Sequence, residues 1–247
     1  MGADPNPTEA EIDRVRLEMQ RQLERANAGF EEFISMAAHN LREPLRDVSA
    51  FSQLLAETHA GRLDSDAAAY LDRIRQGAAS IQSVLAAVVD YWATGARDRQ
   101  SSPTDMEAAL CQALLRADKQ IAARDAIVTH DPLPRVCGDF EILTKVLHHL
   151  IQNAIAYGDA ASPRVHVACK RVDLGWEISV RDNGPGIAPA FQSRIFGAFK
   201  RLHGREYPGN GLGLAFCKKA IEGLGGRVWV ESAVGSGSTF YFTVPAD

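Results

Sequence analysis

Apolar residues recur in the first third of the chain at Ile12, Val15, Met19, Leu23, Ala26, Phe30, Phe33 and Ala37. The steps are threes and fours, with two fours in succession between Val15 and Leu23. That is a heptad pattern carrying a stutter-like slip. The same helix continues through Phe51, Leu54 and Leu55 to about Thr58. "HAGRLDSD" then breaks it, and Asp64 or Ser65 is placed to cap a second helix. That helix carries Tyr70, Leu71, Ile74, Ala78, Ile81, Leu85, Val88 and Trp92 at helical spacing. Two long helices joined by a short loop make a hairpin. Each has one apolar stripe, and two stripes alone bury little, so a homodimer forming a four-helix bundle is the expected solution.

From Thr94 to Asp105 the chain reads as a polar linker, "TGARDRQSSPTD". Beyond it the periods mix. Helices are expected near Met106–Lys119, over Phe140–Tyr157 with Asp139 as cap, and near Leu212–Leu224. Strands are expected near Ala126–Thr129 and at "RVHVACKRV", "GWEISVRD", "GRVWVES" and "STFYFTVP", where apolar and polar residues alternate. This is α+β, with helices on one face of a mostly antiparallel sheet. The expected division is a signalling or coiled-coil helix over 1–29, a helical hairpin over 30–98, a linker over 99–104 and an α/β domain over 105–247.

Composition narrows the function classes. The formal net charge is −4 and there is no basic stripe, which argues against nucleic-acid binding. The longest apolar stretch, Val84 to Ala93, contains Asp90 and is far shorter than the roughly 20 residues of a membrane span. The N-terminus is polar and acidic, unlike a signal peptide. Asn6 stands where a myristoylation signal has Ser or Thr. Cys111, Cys137, Cys169 and Cys217 are isolated and read as buried, reduced thiols, as in a cytoplasmic protein. The tryptophans Trp92, Trp176 and Trp229 lie in apolar patterns and read as core.

Three stretches carry candidate chemistry. "RDNGPGI", Arg181 to Ile187, follows a strand and is a tight turn. "GNGLGL", Gly209 to Leu214, opens a helix, where glycines let backbone amides approach phosphate. The dinucleotide-binding GxGxxG spacing and the Walker pattern both fail here. "LHHLIQNAIAYG" places Asn153 mid-helix, where an amide oxygen can bind a divalent cation alongside phosphate oxygens.

In this order, the asparagine helix, DxGxG and GxGxGL resemble the GHKL (Bergerat) ATP-binding fold of histidine kinases, gyrase, MutL and Hsp90. "FISMAAHNLREPLRDVSAFSQLL", "IFGAFKRLHGREYPGNGLGLAFCKKAIEGLGGRVWVES" and "GSGSTFYFTVP" resemble the kinase core of bacterial sensor histidine kinases, of the phytochrome-linked type. The resemblance implies a HisKA-type hairpin followed by an α/β-sandwich ATP-binding domain. It implies ATP and Mg²⁺ as cofactors, a homodimer, a response-regulator receiver domain as partner, and an upstream sensor absent from this chain.

The roles it implies are these. His39 is the phosphoacceptor. Asn153 holds Mg²⁺, Tyr157 flanks the adenine, and Asp182 bonds its exocyclic amine. Gly184, Gly186 and Ile187 let the base sit close. Phe196 and Phe199 anchor a lid, Lys200 belongs to the nucleotide site, and Arg201 reaches phosphates or the transferring group as a catalytic residue. Gly209, Gly211, Leu212, Gly213 and Leu214 shape the turn over the phosphates, and Thr239 lines the site. His39, Glu43 and Arg46 share one polar helix face, so His39 faces solvent. An imidazole titrates near neutral pH, so its neutral form can attack without a strong base. Pro44 has no N–H for the Asn40 carbonyl, a kink signal one turn after His39.

The chain departs from the pattern at named positions. Asn40 stands where an acidic residue usually orients the imidazole and accepts its proton. Glu43 is one turn away and can substitute. His149 and Ala156 replace an asparagine and a phosphate-binding lysine. A reduced-activity signalling scaffold that dimerises and binds nucleotide or partners with little transfer therefore stays as an alternative. A simple GHKL ATPase leaves the His39 stretch unexplained.

Overall fold

The computed structural model describes residues 9–59, 61–96, 102–158, 162–201 and 209–246. The chain divides into two compact units, Met1–Trp92 and Ala93–Asp247. The expected extent of the N-terminal helix falls partly outside the described residues, as does most of the expected lid.

The first unit is a hairpin of α1 (Glu9–Thr58) and α2 (Ser65–Ala96). α1 runs without interruption through Pro44. Asp64 caps α2, its carboxylate accepting the Ala67 N–H at 2.8 Å. The helices run antiparallel. The Phe30 ring near the middle of α1 meets Trp92 near the far end of α2 edge-on, 4.7 Å between centroids. Among the described residues of α1 and α2 the buried ones are few: Ala38, Ser52, Leu71, Ala78 and Thr94. Phe33, Phe51 and Leu54 remain exposed, at 61%, 69% and 56%.

The second unit is a two-layer α/β sandwich. Its sheet has the order β2 (Ile127–His130), β4 (Arg164–Val172), β5 (Gly175–Asp182), β7 (Ser238–Pro245), β6 (Val228–Ser232). β2 and β4 are parallel and the other pairs antiparallel. On one face lie α3 (Met106–Ala123), α4 (Phe140–Tyr157) and α6 (Gly213–Gly223). Asp105 and Asp139 cap α3 and α4. The short α5 (Pro189–Gln192) lies beside β6. Leu143, Leu147, Leu150 and Ile151 of α4 are fully buried, as are Ile178, Val180 and Phe242 of the sheet. Each such side chain contributes about 1.5–3 kcal/mol by leaving water.

Three elements were not expected, the short α5 and a pair of short strands. β1 (Ser102–Asp105) pairs antiparallel with β3 (Arg135–Gly138). The end of the supposed polar linker is thus a strand. Thr104 is buried there, and its hydroxyl donates to the Gly138 carbonyl at 2.7 Å.

The cysteines and tryptophans also differ from expectation. Only Cys217 is buried; Cys111 is exposed and the other two are half-buried, all four being free. None of the tryptophans is fully buried. Trp229 stacks on Tyr241 at 5.2 Å with the Arg227 guanidinium 4.5 Å from its ring, and Arg171 covers Trp176. Ring stacking and cation–π contact, each worth about 0.5–1.5 kcal/mol, hold these aromatics at a half-exposed surface.

Candidate functional site

Asp182 closes β5 and is buried. Its Oδ1 accepts two backbone N–H groups, from Gly184 at 2.8 Å and from Ser238 at 3.0 Å. Burial pushes its carboxyl above the usual carboxylate range, and the two N–H donors pull it partly back. An ionisable group held in an apolar setting by backbone donors on one oxygen keeps its other oxygen for a ligand.

The turn after Asp182 is tight because the backbone passes close to its neighbours. A Cβ on Gly184 would lie 2.4 Å from the Tyr157 carbonyl oxygen. Gly186 has φ +74°, and a Cβ there would meet the Ala233 carbonyl at 2.0 Å. The α4 C-terminus is thereby pressed against the turn, with Tyr157 half-buried beside it. Asn183 ties the turn to the start of β4, accepting the Arg164 N–H at 2.8 Å and donating to the Ser162 carbonyl at 3.0 Å.

Ser232, Gly237 and Ser238 were not singled out from sequence. The Ser232 hydroxyl oxygen accepts the Ile187 N–H at 2.7 Å and its proton reaches the Gly237 carbonyl at 2.8 Å. A Cβ on Gly237, where φ is +79°, would strike the Asp182 carbonyl. The available signal was "GSGS" before a strand, which marks a turn but not what it touches.

Asn153 is half-buried on α4. One turn earlier, His149 lies against Gly213, the first residue of α6, and meets Phe216 edge-on at 5.1 Å. α4 and α6 thus join where the glycine-rich turn enters α6. Asn210 accepts the Leu212 N–H at 3.0 Å, and Leu212 is buried. Gly211, φ +73°, packs against the backbone of Phe199 and Lys200. Phe199 itself has φ +58° and is exposed. Phe196 points the other way, its ring 6.5 Å from that of Phe240 in the core. Arg201 is exposed, Leu214 half-buried, and Thr239 half-buried on β7 opposite Arg181. Residues 202–208 lie outside the described residues.

The second unit therefore gathers Asn153, Tyr157, Asp182, Gly184, Gly186 and Ile187 around the end of α4. It places Phe199, Lys200, Gly211, Leu212 and Gly213 around the start of α6, with Phe196 turned toward Phe240. His39, Asn40, Glu43 and Arg46 belong to the first unit and are exposed on α1. Among the described residues no cluster of three or more His, Cys, Asp or Glu could hold a metal by itself.

Residues 31–91 match the His Kinase A (phospho-acceptor) domain family. Residues 138–247 match the family of histidine kinase-, DNA gyrase B- and HSP90-like ATPases. Cyanobacterial phytochrome A of Nostoc sp. is 41% identical over 92% of this chain and 30% of its own length. The phytochrome-like protein Cph1 of Synechocystis sp. is 38% identical over 92% of this chain and 31% of its own. The chain thus spans about a third of the length of these relatives. Among solved structures, full-length ShkA in complex with AMPPNP superposes with a TM-score of 0.68 at 27% identity, covering 87% of this chain and 47% of that one.

Proposed function

The chain belongs to the histidine kinases that join a HisKA domain to a GHKL-type ATPase domain, and from that premise we propose that it phosphorylates His39 from Mg-ATP. The phosphoryl group then passes to an aspartate of a response-regulator receiver domain. The observation that carries the reading is the coexistence of an exposed histidine on α1 with the buried Asp182 turn of the second unit.

The nucleotide fits the residues present. Asp182, with Oδ1 saturated by two N–H groups, would accept from the adenine amine through its other oxygen. Gly184 and Gly186 leave the space that side chains would fill. Tyr157 would flank the base. The N-terminus of α6, opened by Gly211 and Gly213, would face phosphate, and Lys200 and Arg201 would reach it. Asn153 would hold Mg²⁺ through its amide oxygen, the ion neutralising phosphate charge and coming mainly with the nucleotide's own oxygens. The AMPPNP bound to ShkA supports a nucleotide here.

In the transfer, an imidazole nitrogen of His39 attacks the γ-phosphorus. The bond from that phosphorus to the bridging oxygen breaks, and ADP leaves with the electron pair. The imidazole proton must go elsewhere. Asn40 can orient the ring but accepts no proton; Glu43, on the same face one turn on, can. Base assistance is worth about 10²–10⁴-fold in general, and the loose transition state of phosphoryl transfer asks less of it. The expected activity is therefore slow and real. The reading includes a homodimer built on the hairpin, an upstream sensor outside this chain, and a cytoplasmic setting where ATP is supplied.

The test is label transfer from γ-labelled Mg-ATP to the full chain. Acid-labile label that disappears in His39→Ala and accumulates faster in Asn40→Asp supports the reading. Nucleotide binding with no label in the wild type moves it to the scaffold, which His149, Ala156 and Asn40 favour.

A further inference from the structure

The edge of the sheet away from β7 carries a feature the kinase reading does not use. β2 is the terminal strand, parallel to β4. The Ile127 and Asp131 N–H groups donate to Pro163 and Val167 of the neighbouring chain segment, at 2.8 and 2.9 Å. Successive backbone groups along a strand point to opposite sides. Val128 and His130 therefore turn their N–H and C=O groups outward, and among the described residues no strand pairs with them. Beside this edge, α3 and β2 enclose a groove of about 470 Å³. Its apolar walls are Leu110, Leu114, Leu115, Ile121, Ala126 and Val128. Leu115 is 66% exposed.

The charge at the groove has one sign. Its lining includes Glu107 and Asp118 and no Lys or Arg. Glu107 Oε1 accepts the Leu133 N–H at 2.7 Å, and its Oε2 lies 3.7 Å from His130 Nδ1. Asp131, next along the chain and outside the groove lining, has its Oδ1 3.7 Å from His166 Nε2. An open edge with up to four outward backbone groups calls for an extended peptide, as in β-augmentation. The groove calls for apolar side chains on one face of that peptide. The carboxylates call for Lys or Arg.

We propose that the α3–β2 groove is a docking site for an extended segment of a partner protein, which adds a strand along β2 and places Lys or Arg at both ends of an apolar run. Glu107 and Asp118 are eleven residues apart on α3, about 16 Å along a helix. A strand advances about 3.3 Å per residue, so the basic residues lie four to six positions apart on the inward face. The proposal is independent of phosphotransfer and needs no nucleotide.

The probe is a capped KTVTVTK peptide added to the full chain, against capped ETVTVTE. Binding is read by calorimetry, and amide hydrogen exchange is read over residues 126–131. The expected result is saturable binding of the lysine peptide, slowed exchange over that segment, and no binding of the glutamate peptide. Val128→Pro removes one outward donor at an edge position where proline is tolerated. Leu115→Lys charges an exposed wall of the groove. Each is expected to weaken binding at least tenfold with the circular dichroism unchanged; Leu115→Lys stands alone if Val128→Pro fails to fold. No binding, equal binding of both peptides, or indifference to Leu115→Lys overturns the proposal. So does concentration-dependent protection of 126–131 without peptide, which assigns the edge to a second copy of this chain.

Discussion

Asp182 Oδ1 accepts both the Gly184 and Ser238 N–H groups, so an asparagine can keep both bonds with its single carbonyl oxygen. The amide nitrogen then faces the ligand as a donor where the proposed adenine amine needs an acceptor. Asp182→Asn is expected to fold and to lose about ten- to a hundredfold in ADP affinity by calorimetry, the worth of a charged hydrogen bond. The pH dependence has a definite sign. Burial raises the folded-state carboxyl above the ordinary carboxylate range. The stability tied to that proton is full below the unfolded value and is lost as pH rises through the folded one. Melting curves of wild type against Asp182→Asn are expected to show the wild type losing relative stability as pH rises through the acid range. Nucleotide affinity moves the opposite way, falling as the carboxylate is protonated. Glycines separate strain from collision at the same scale. Gly186→Ala is expected to cost more than about 2 kcal/mol, adding a clash with the Ala233 carbonyl to a left-handed backbone. Gly225, φ +78° with nothing within 4 Å, bears only the backbone term, about 1 kcal/mol. Chemical denaturation ranks the two.

Elements with a full period of their own were legible in the sequence. The α4 limits and the Asp139 cap, and the strands over Arg164–Val172 and Gly175–Asp182, coincide with expectation. Alternation and capping are local, so the residues that make these elements also announce them. β1 and β3 have four residues each and a proline in or beside them. Their order comes from pairing with each other across α3, which no local window contains. The site divides the same way. Asp182 and its two glycines stood out as a turn. Ser232, Gly237 and Ser238 did not, because they act on it from β6, β7 and the turn between them, about 50 residues downstream. Caps give a check here too. Asp105→Ala leaves the Glu107 and Ala108 N–H groups unpartnered and is expected to lower the stability of the second unit by about 1 kcal/mol.

For the whole molecule, the two units differ in how they reach stability. The second buries a continuous core of helix and sheet side chains. The first buries little besides Ala38, Ser52, Leu71 and Ala78, and leaves Phe51 and Leu54 exposed. A second hairpin is what such a surface lacks. Phe51→Glu with Leu54→Glu is expected to turn a sedimenting dimer into a monomer, with ADP binding by the second unit unchanged. A monomeric wild type would remove the four-helix bundle from the account. Phosphotransfer is a property of both units together, and one peptide reports on it. Complete trypsin digestion releases Ala26–Arg42, in which His39 is the one histidine and Ser35 the one hydroxyl side chain. The decisive measurement is the mass of that peptide after incubation of the chain with Mg-ATP and digestion at alkaline pH. The account predicts one added phosphoryl group, stable in base and lost on brief acid treatment. An acid-stable adduct on this peptide, or an acid-labile one found on another histidine instead, would contradict it.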